Sequence, residues 1–171
     1  MKLTVREMVT YAMLGALMWV SKMVMEWLPN MHLLAMLTVA VTVVYRTRAL
    51  YILYTYVLLL GVCYGFPTWW VAHLYLWTLL WGATMLLPRT MPPAVATVVY
   101  VALCGAHGFL YGVLYAPTQV LFFGIGLQQI PAWILAGLPF DIAHGVSNLI
   151  AGTLTLPLVA LLRRCERIGR A

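Results

Sequence analysis

Long apolar runs follow one another along the whole chain, separated by short stretches holding proline, glycine or arginine. A hydrocarbon core of about 30 Å needs roughly 20 helical residues per crossing. The first run predicts a helix over about 4–27, stopped at Leu28-Pro29-Asn30. The second covers about 31–45, short for a full crossing, and ends at Arg46-Thr47-Arg48. The third covers about 49–64, before Gly65-Phe66-Pro67, and the fourth about 68–87, before Pro88-Arg89. The fifth covers about 92–115; it opens at Pro92-Pro93, where proline suits a first turn. A connector with Gly124, Gly126, Gln128 and Gln129 leads to a sixth, which starts between Pro131 and Pro139 and ends near 164. The expected fold is an all-α membrane protein with six transmembrane helices, forming one integral domain over 1–171.

Composition agrees with this pattern. Hydrophobic residues make up 64% of the 171 residues and charged ones 8%, against about 25% charged in a soluble domain. Mean hydropathy is +0.96. Little chain is left for a soluble or nucleotide-binding domain. The net charge of +6 lies on connectors and the C-terminus, so it reads as a topology signal and not as nucleic-acid affinity. Cytoplasmic loops carry the excess of Lys and Arg. With the N-terminus inside, Lys2, Arg6, Arg46, Arg48, Arg89, Arg163, Arg164, Arg167 and Arg170 are all inside, nine of the ten basic residues. Only Lys22 falls on the other side. Both termini are therefore expected in the cytoplasm, with the chain multi-pass in a bacterial-type cell membrane. The first run has no clear small-residue cleavage site and reads as a retained helix. Cys63, Cys104 and Cys165 show no metal or disulfide spacing.

Against this background a few polar residues stand out, and threading places them toward the outer side. An ionisable group inside a membrane segment marks a pathway or a ligand site by default. Lys22 and Glu26 are spaced i,i+4 on the first helix and read either as ligand contacts or as a local ion pair. Asn30 sits on the first outer connector and joins the candidate contacts. Trp70, His73, Trp77 and Trp81 form one stripe on the fourth helix. That stripe reads as a pocket wall or as plain packing, with interface belting for the outermost ring. His107 and Tyr111 share a face of the fifth helix beside Gly105, Gly108 and Gly112, small residues that let membrane helices approach. Asp141, His144 and Asn148 share a face of the sixth. Asp141 reads as a first-turn cap if Pro139 opens that helix, an explanation that does not extend to His144 and Asn148.

Metal-binding and catalytic patterns such as HExxH, ExxH, GxSxG and Walker A do not occur. No metal site and no cofactor are assigned to the chain, and an enzyme is not expected. Bis-histidine haem through His73, His107 or His144 stays as a minor alternative, detectable by a Soret band. A self-sufficient small transporter is another. It would need an inward polar path, and the inner halves of the helices offer only Thr42, Thr84, Thr97, Thr153 and Thr155.

Several features together resemble the substrate-binding S component of an energy-coupling factor (ECF) transporter, over the full length. These are the size and topology, the Ala12-Met13-Leu14-Gly15-Ala16 segment matching that family's AxxxA patch, and Leu28-Pro29-Asn30 followed by a short second helix. The last is the segment from Pro139-Phe140-Asp141 through Asn148 to Leu156-Pro157-Leu158, ending in arginines. The resemblance implies capture of a vitamin or related micronutrient near the outer surface, mostly by the last three helices and the outer loops. It implies docking of Ala12 and Ala16 on a transmembrane coupling protein, with two partner ATPases using ATP and the S component toppling to deliver its cargo. Small residues at Ala12, Gly15 and Ala16 also suit close helix packing on physical grounds alone. Tryptophan faces suit a planar ring or a cation. A flat vitamin, a nucleobase-like precursor and a corrinoid all remain open as ligands.

Overall fold

The computed structural model describes residues 3–168; Lys2 and Arg170, two of the charges used for orientation, lie outside the described residues. The described chain is all helix, without strands. Eight α-helices follow in order: α1 Val5–Val24, α2 Leu34–Tyr45, α3 Ala49–Tyr64, α4 Thr68–Met85, α5 Pro93–Phe109, α6 Tyr111–Phe123, α7 Ile130–Gly152 and α8 Thr155–Ile168. Three helical stretches are long and apolar enough to cross a membrane: Leu34–Tyr64, Pro93–Phe123 and Leu127–Gly152.

Local chemistry explains where the helices start and stop. Thr4 accepts the Glu7 N–H while the Glu7 side chain accepts the Thr4 N–H, a reciprocal capping box that opens α1. Between α2 and α3 the chain turns at Arg46, whose φ is 54°. Asn30, φ 59°, makes the turn after α1; asparagine tolerates this left-handed region better than most residues.

The fifth and sixth sequence segments each divide in two. The expected helix over 92–115 ends at Phe109, and the expected connector from residue 116 is helical as part of α6. Leu110 marks the break, in a stretch where three glycines weaken the helix. The last segment starts at Ile130, with Pro131 in its first turn, and runs straight through Pro139. It then breaks before α8, where the N–H groups of Thr153 and Leu154 bond three residues back. Pro157, in the first turn of α8, has no N–H to carry the ladder across that break.

Packing centres on α2. From Leu34 to Thr42 every residue is buried. The helix is apolar all round, as suits a helix surrounded by others; α3, α4, α5, α7 and α8 all contact it. At 12 residues it is about 18 Å long at 1.5 Å per residue. The most extensive helix–helix packing is between α5 and α7. A Cβ on Gly108 would lie 2.7 Å from the His144 carbonyl oxygen, so only glycine permits this approach.

Candidate functional site

Trp77 is the centre of the polar cluster. It lies on α4 and is 2% exposed. Its indole meets the rings of His107 on α5 at 5.4 Å, His32 on the α1–α2 connector at 5.9 Å, Tyr56 on α3 at 6.2 Å and His73 on α4 at 6.3 Å. His144 on α7 closes the circle. It lies 5.1 Å from His32 and stacks on Tyr111 of α6 at 4.8 Å, with only 13° between the planes. Tyr111 continues the stack to Tyr115 and then to Trp133. All four histidines of the chain thus belong to one aromatic assembly.

Hydrogen bonds define what these rings still offer. His73 Nδ1 and His144 Nδ1 each donate to a carbonyl one turn back, Trp69 and Phe140, at 3.1 Å. His107 Nε2 donates to the Leu76 carbonyl at 3.3 Å. A neutral imidazole donating from one nitrogen keeps the other as an acceptor. For His107 that acceptor is Nδ1, which is buried without a partner. The Trp77 Nε1–H, the Tyr56 hydroxyl, His32 Nδ1 and both amide atoms of Asn148 are also buried and unpartnered. Native proteins pair the great majority of such groups. Donors and acceptors from five elements remain free in one region, with no full charge among them.

The remaining sequence candidates separate from this cluster. Trp70 donates to the Val57 carbonyl at 2.8 Å and packs edge-on to Phe66, tying α4 to α3. Trp81 donates to the Arg46 carbonyl at 3.0 Å. Of the stripe's three tryptophans, only Trp77 has no partner for its N–H. Lys22 and Glu26 form an ion pair at 3.4 Å. The Lys22 ammonium sits over the Tyr64 ring, and Tyr64 donates to Glu26 at 2.9 Å. This network lies on the exposed side of α1 and α3. Asn30 makes the turn described above.

Asp141 does not cap its own helix, because α7 begins well before it, at Ile130, and runs through Pro139. Its carboxylate instead accepts the Gly112 N–H at 3.0 Å. That donor is in the first turn of α6, where N–H groups lack helical partners. A Cβ on Gly112 would collide with the Asp141 carboxylate. Asp141 therefore pins α6 to α7 behind Tyr111. Gly15 packs against α3, where a Cβ would meet Thr55 at 2.6 Å. Ala12 is exposed and Ala16 half-buried.

His32 was not among the sequence candidates. It falls inside the expected second segment over 31–45, but α2 starts only at Leu34, so His32 lies on the connector, against Trp77 and His144. Tyr56 was likewise absent, since a tyrosine inside an apolar run carries no signal of its own. Among the described residues no three His, Cys, Asp or Glu side chains converge as a metal-ligand set. A larger cleft, about 630 Å³, opens at the arginine-rich end among Glu7, Tyr11, Tyr45, Arg48 and Glu166, away from Trp77. No family model, curated protein or solved structure matches the chain.

Proposed function

We propose that this chain is the substrate-binding S component of an ECF-type importer, taking a flat, uncharged heteroaromatic micronutrient into the Trp77 cluster. One observation carries the reading: unpartnered donors and acceptors on Trp77, His107, His32 and Tyr56 are buried together among aromatic faces, and the unpartnered Asn148 amide lies against Gly108, the residue after His107. Ring faces supply area and stacking. The indole N–H and the Asn148 amide offer donors, and His107 Nδ1 an acceptor. A ligand such as a ring-fused amide satisfies both kinds at once. The rings touch one another, so entry requires them to part. The non-helical connector bearing His32 is the element with freedom to do so.

In this proposal six crossings place both termini in the cytoplasm and the histidine cluster toward the outside. Ala12, exposed on α1, faces the coupling protein with Ala16 beside it. Gly15 serves the chain's own packing. Two ATPases bound to the coupling protein supply the energy.

Native mass spectrometry of the detergent-purified chain tests the reading. A retained vitamin-sized molecule, lost in Trp77→Phe, is the expected result. An empty chain that also fails to co-purify with coupling and ATPase subunits would overturn it. Ala12→Trp should block assembly and uptake while sparing ligand retention; normal uptake would remove the docking assignment.

A further inference from the structure

A second cleft, about 260 Å³, lies at the arginine-rich end where α2, α4, α5 and α8 meet. Its lining includes Arg46, Arg89 and Arg163 with Tyr100 and Thr84, and none of its lining residues is acidic. Like charges gathered in one cleft repel, so an arrangement without a carboxylate favours an anion from outside the chain. Typical sites for drug-sized organic ligands span about 300–1,000 Å³; this cleft falls just below that range.

Arg46 is held in place for such a role. Its backbone, φ 54° and ψ −122°, lies where non-glycine residues are seldom found, and outliers of this kind concentrate at functional positions. Its carbonyl accepts the Trp81 indole N–H at 3.0 Å, and its guanidinium donates to the Met85 carbonyl at 2.9 Å, at the end of α4. The first tether holds the Arg46 backbone and the second its side chain, beside the cleft. Its Nε–H is buried and has no partner. Snorkelling to water accounts for exposed Arg89 and Arg163, but not for a sheltered, unpaired donor on Arg46. Planar guanidinium forks match the oxygens of a phosphate group.

We propose that this cleft binds a phosphate group, held by Arg46, Arg89 and Arg163 with the Tyr100 hydroxyl as a further donor. An anionic phospholipid headgroup and free inorganic phosphate present the same chemistry. The site goes beyond the transport reading and does not depend on it, since it uses a different end of the bundle and a different class of ligand.

The test follows the melting midpoint of the full chain in neutral detergent by tryptophan fluorescence, at matched ionic strength. The additives are dioleoylphosphatidylglycerol, dioleoylphosphatidylcholine and sodium phosphate. The expected result is a rise of about 5 °C at saturation with phosphatidylglycerol, with phosphate, or with both, and none with phosphatidylcholine, whose choline cancels the phosphate charge. The first outcome assigns the lipid, the second the free anion, the third a site open to either. R89Q/R163Q should abolish the rise, whereas R6Q/R164Q, the same charge change outside the cleft, should keep it. Both cleft substitutions are at exposed positions, and Arg46 is left intact because it also holds α4. No rise with either anion would overturn the proposal. So would a rise that survives R89Q/R163Q, or one that R6Q/R164Q abolishes equally.

Discussion

At the arginine-rich end, Arg48 pairs with Glu7, Tyr45 donates to Glu166, and Trp81 and Arg46 close bonds onto backbone carbonyls. Around Trp77 the side chains carry no full charge, and six of their nitrogen and oxygen atoms are buried without partners. One region fixes helix ends against each other with ion pairs and bonds onto carbonyls, Arg46 Nε excepted. The other holds polarity in reserve among aromatic faces. Within α4 the same contrast appears on a single stripe, where Trp70 and Trp81 are bonded and Trp77 is not. A tryptophan N–H spent on a carbonyl contributes to the fold; one left free in a buried cluster is available to a ligand.

The largest expected effect breaks the scaffold on which the cluster rests. Gly108→Leu places a side chain against the α7 backbone and should cost about 3 kcal/mol or more, seen as a large fall in melting midpoint with loss of any retained ligand. A normal midpoint would mean that the α5–α7 seam is looser than the geometry requires. Asp141→Ala frees the Gly112 N–H and should cost about 1–2 kcal/mol. Ligand retention should fall only as far as stability falls. A loss of binding at unchanged stability would return Asp141 to the ligand site.

The tryptophan pair sharpens the comparison directly. Trp81→Phe should cost about 1 kcal/mol and leave retention unchanged, since it orphans the Arg46 carbonyl. Trp77→Phe removes a donor that has no partner, so the ligand-free chain should melt at the same temperature or higher while retention falls about tenfold. If both variants behave alike, the distinction between bonded and free indoles fails. Smallest of all, Lys22→Gln with Glu26→Gln should leave melting and retention unchanged, because exposed pairs contribute little. A loss of retention there would extend the site to the outer end of α1.

Much of the architecture was legible in the chain. Periodic apolar runs and Pro or Arg punctuation set α1 to α4 within a few residues, because a helix in an apolar environment satisfies its own backbone regardless of neighbours. The breaks at Leu110 and before Thr155 were not legible: glycines and prolines permit a break, but packing chooses which one is used. His73, Trp77, His107, Tyr111, His144 and Asn148 could be picked out as polar or aromatic residues sharing helix faces, and they do gather in one region.

Residue spacing along a helix determines which side chains share a face, so composition and periodicity alone determined the all-helical build and most of the cluster's members. Whether a polar atom on that face is already bonded depends on what the neighbouring helix presents at a distance of 3 Å. That was decided only in three dimensions. It separated Trp77 from Trp70 and Trp81, turned Asp141 from a cap of its own helix into a clamp on α6, and set His32, just ahead of α2, against Trp77 and His144.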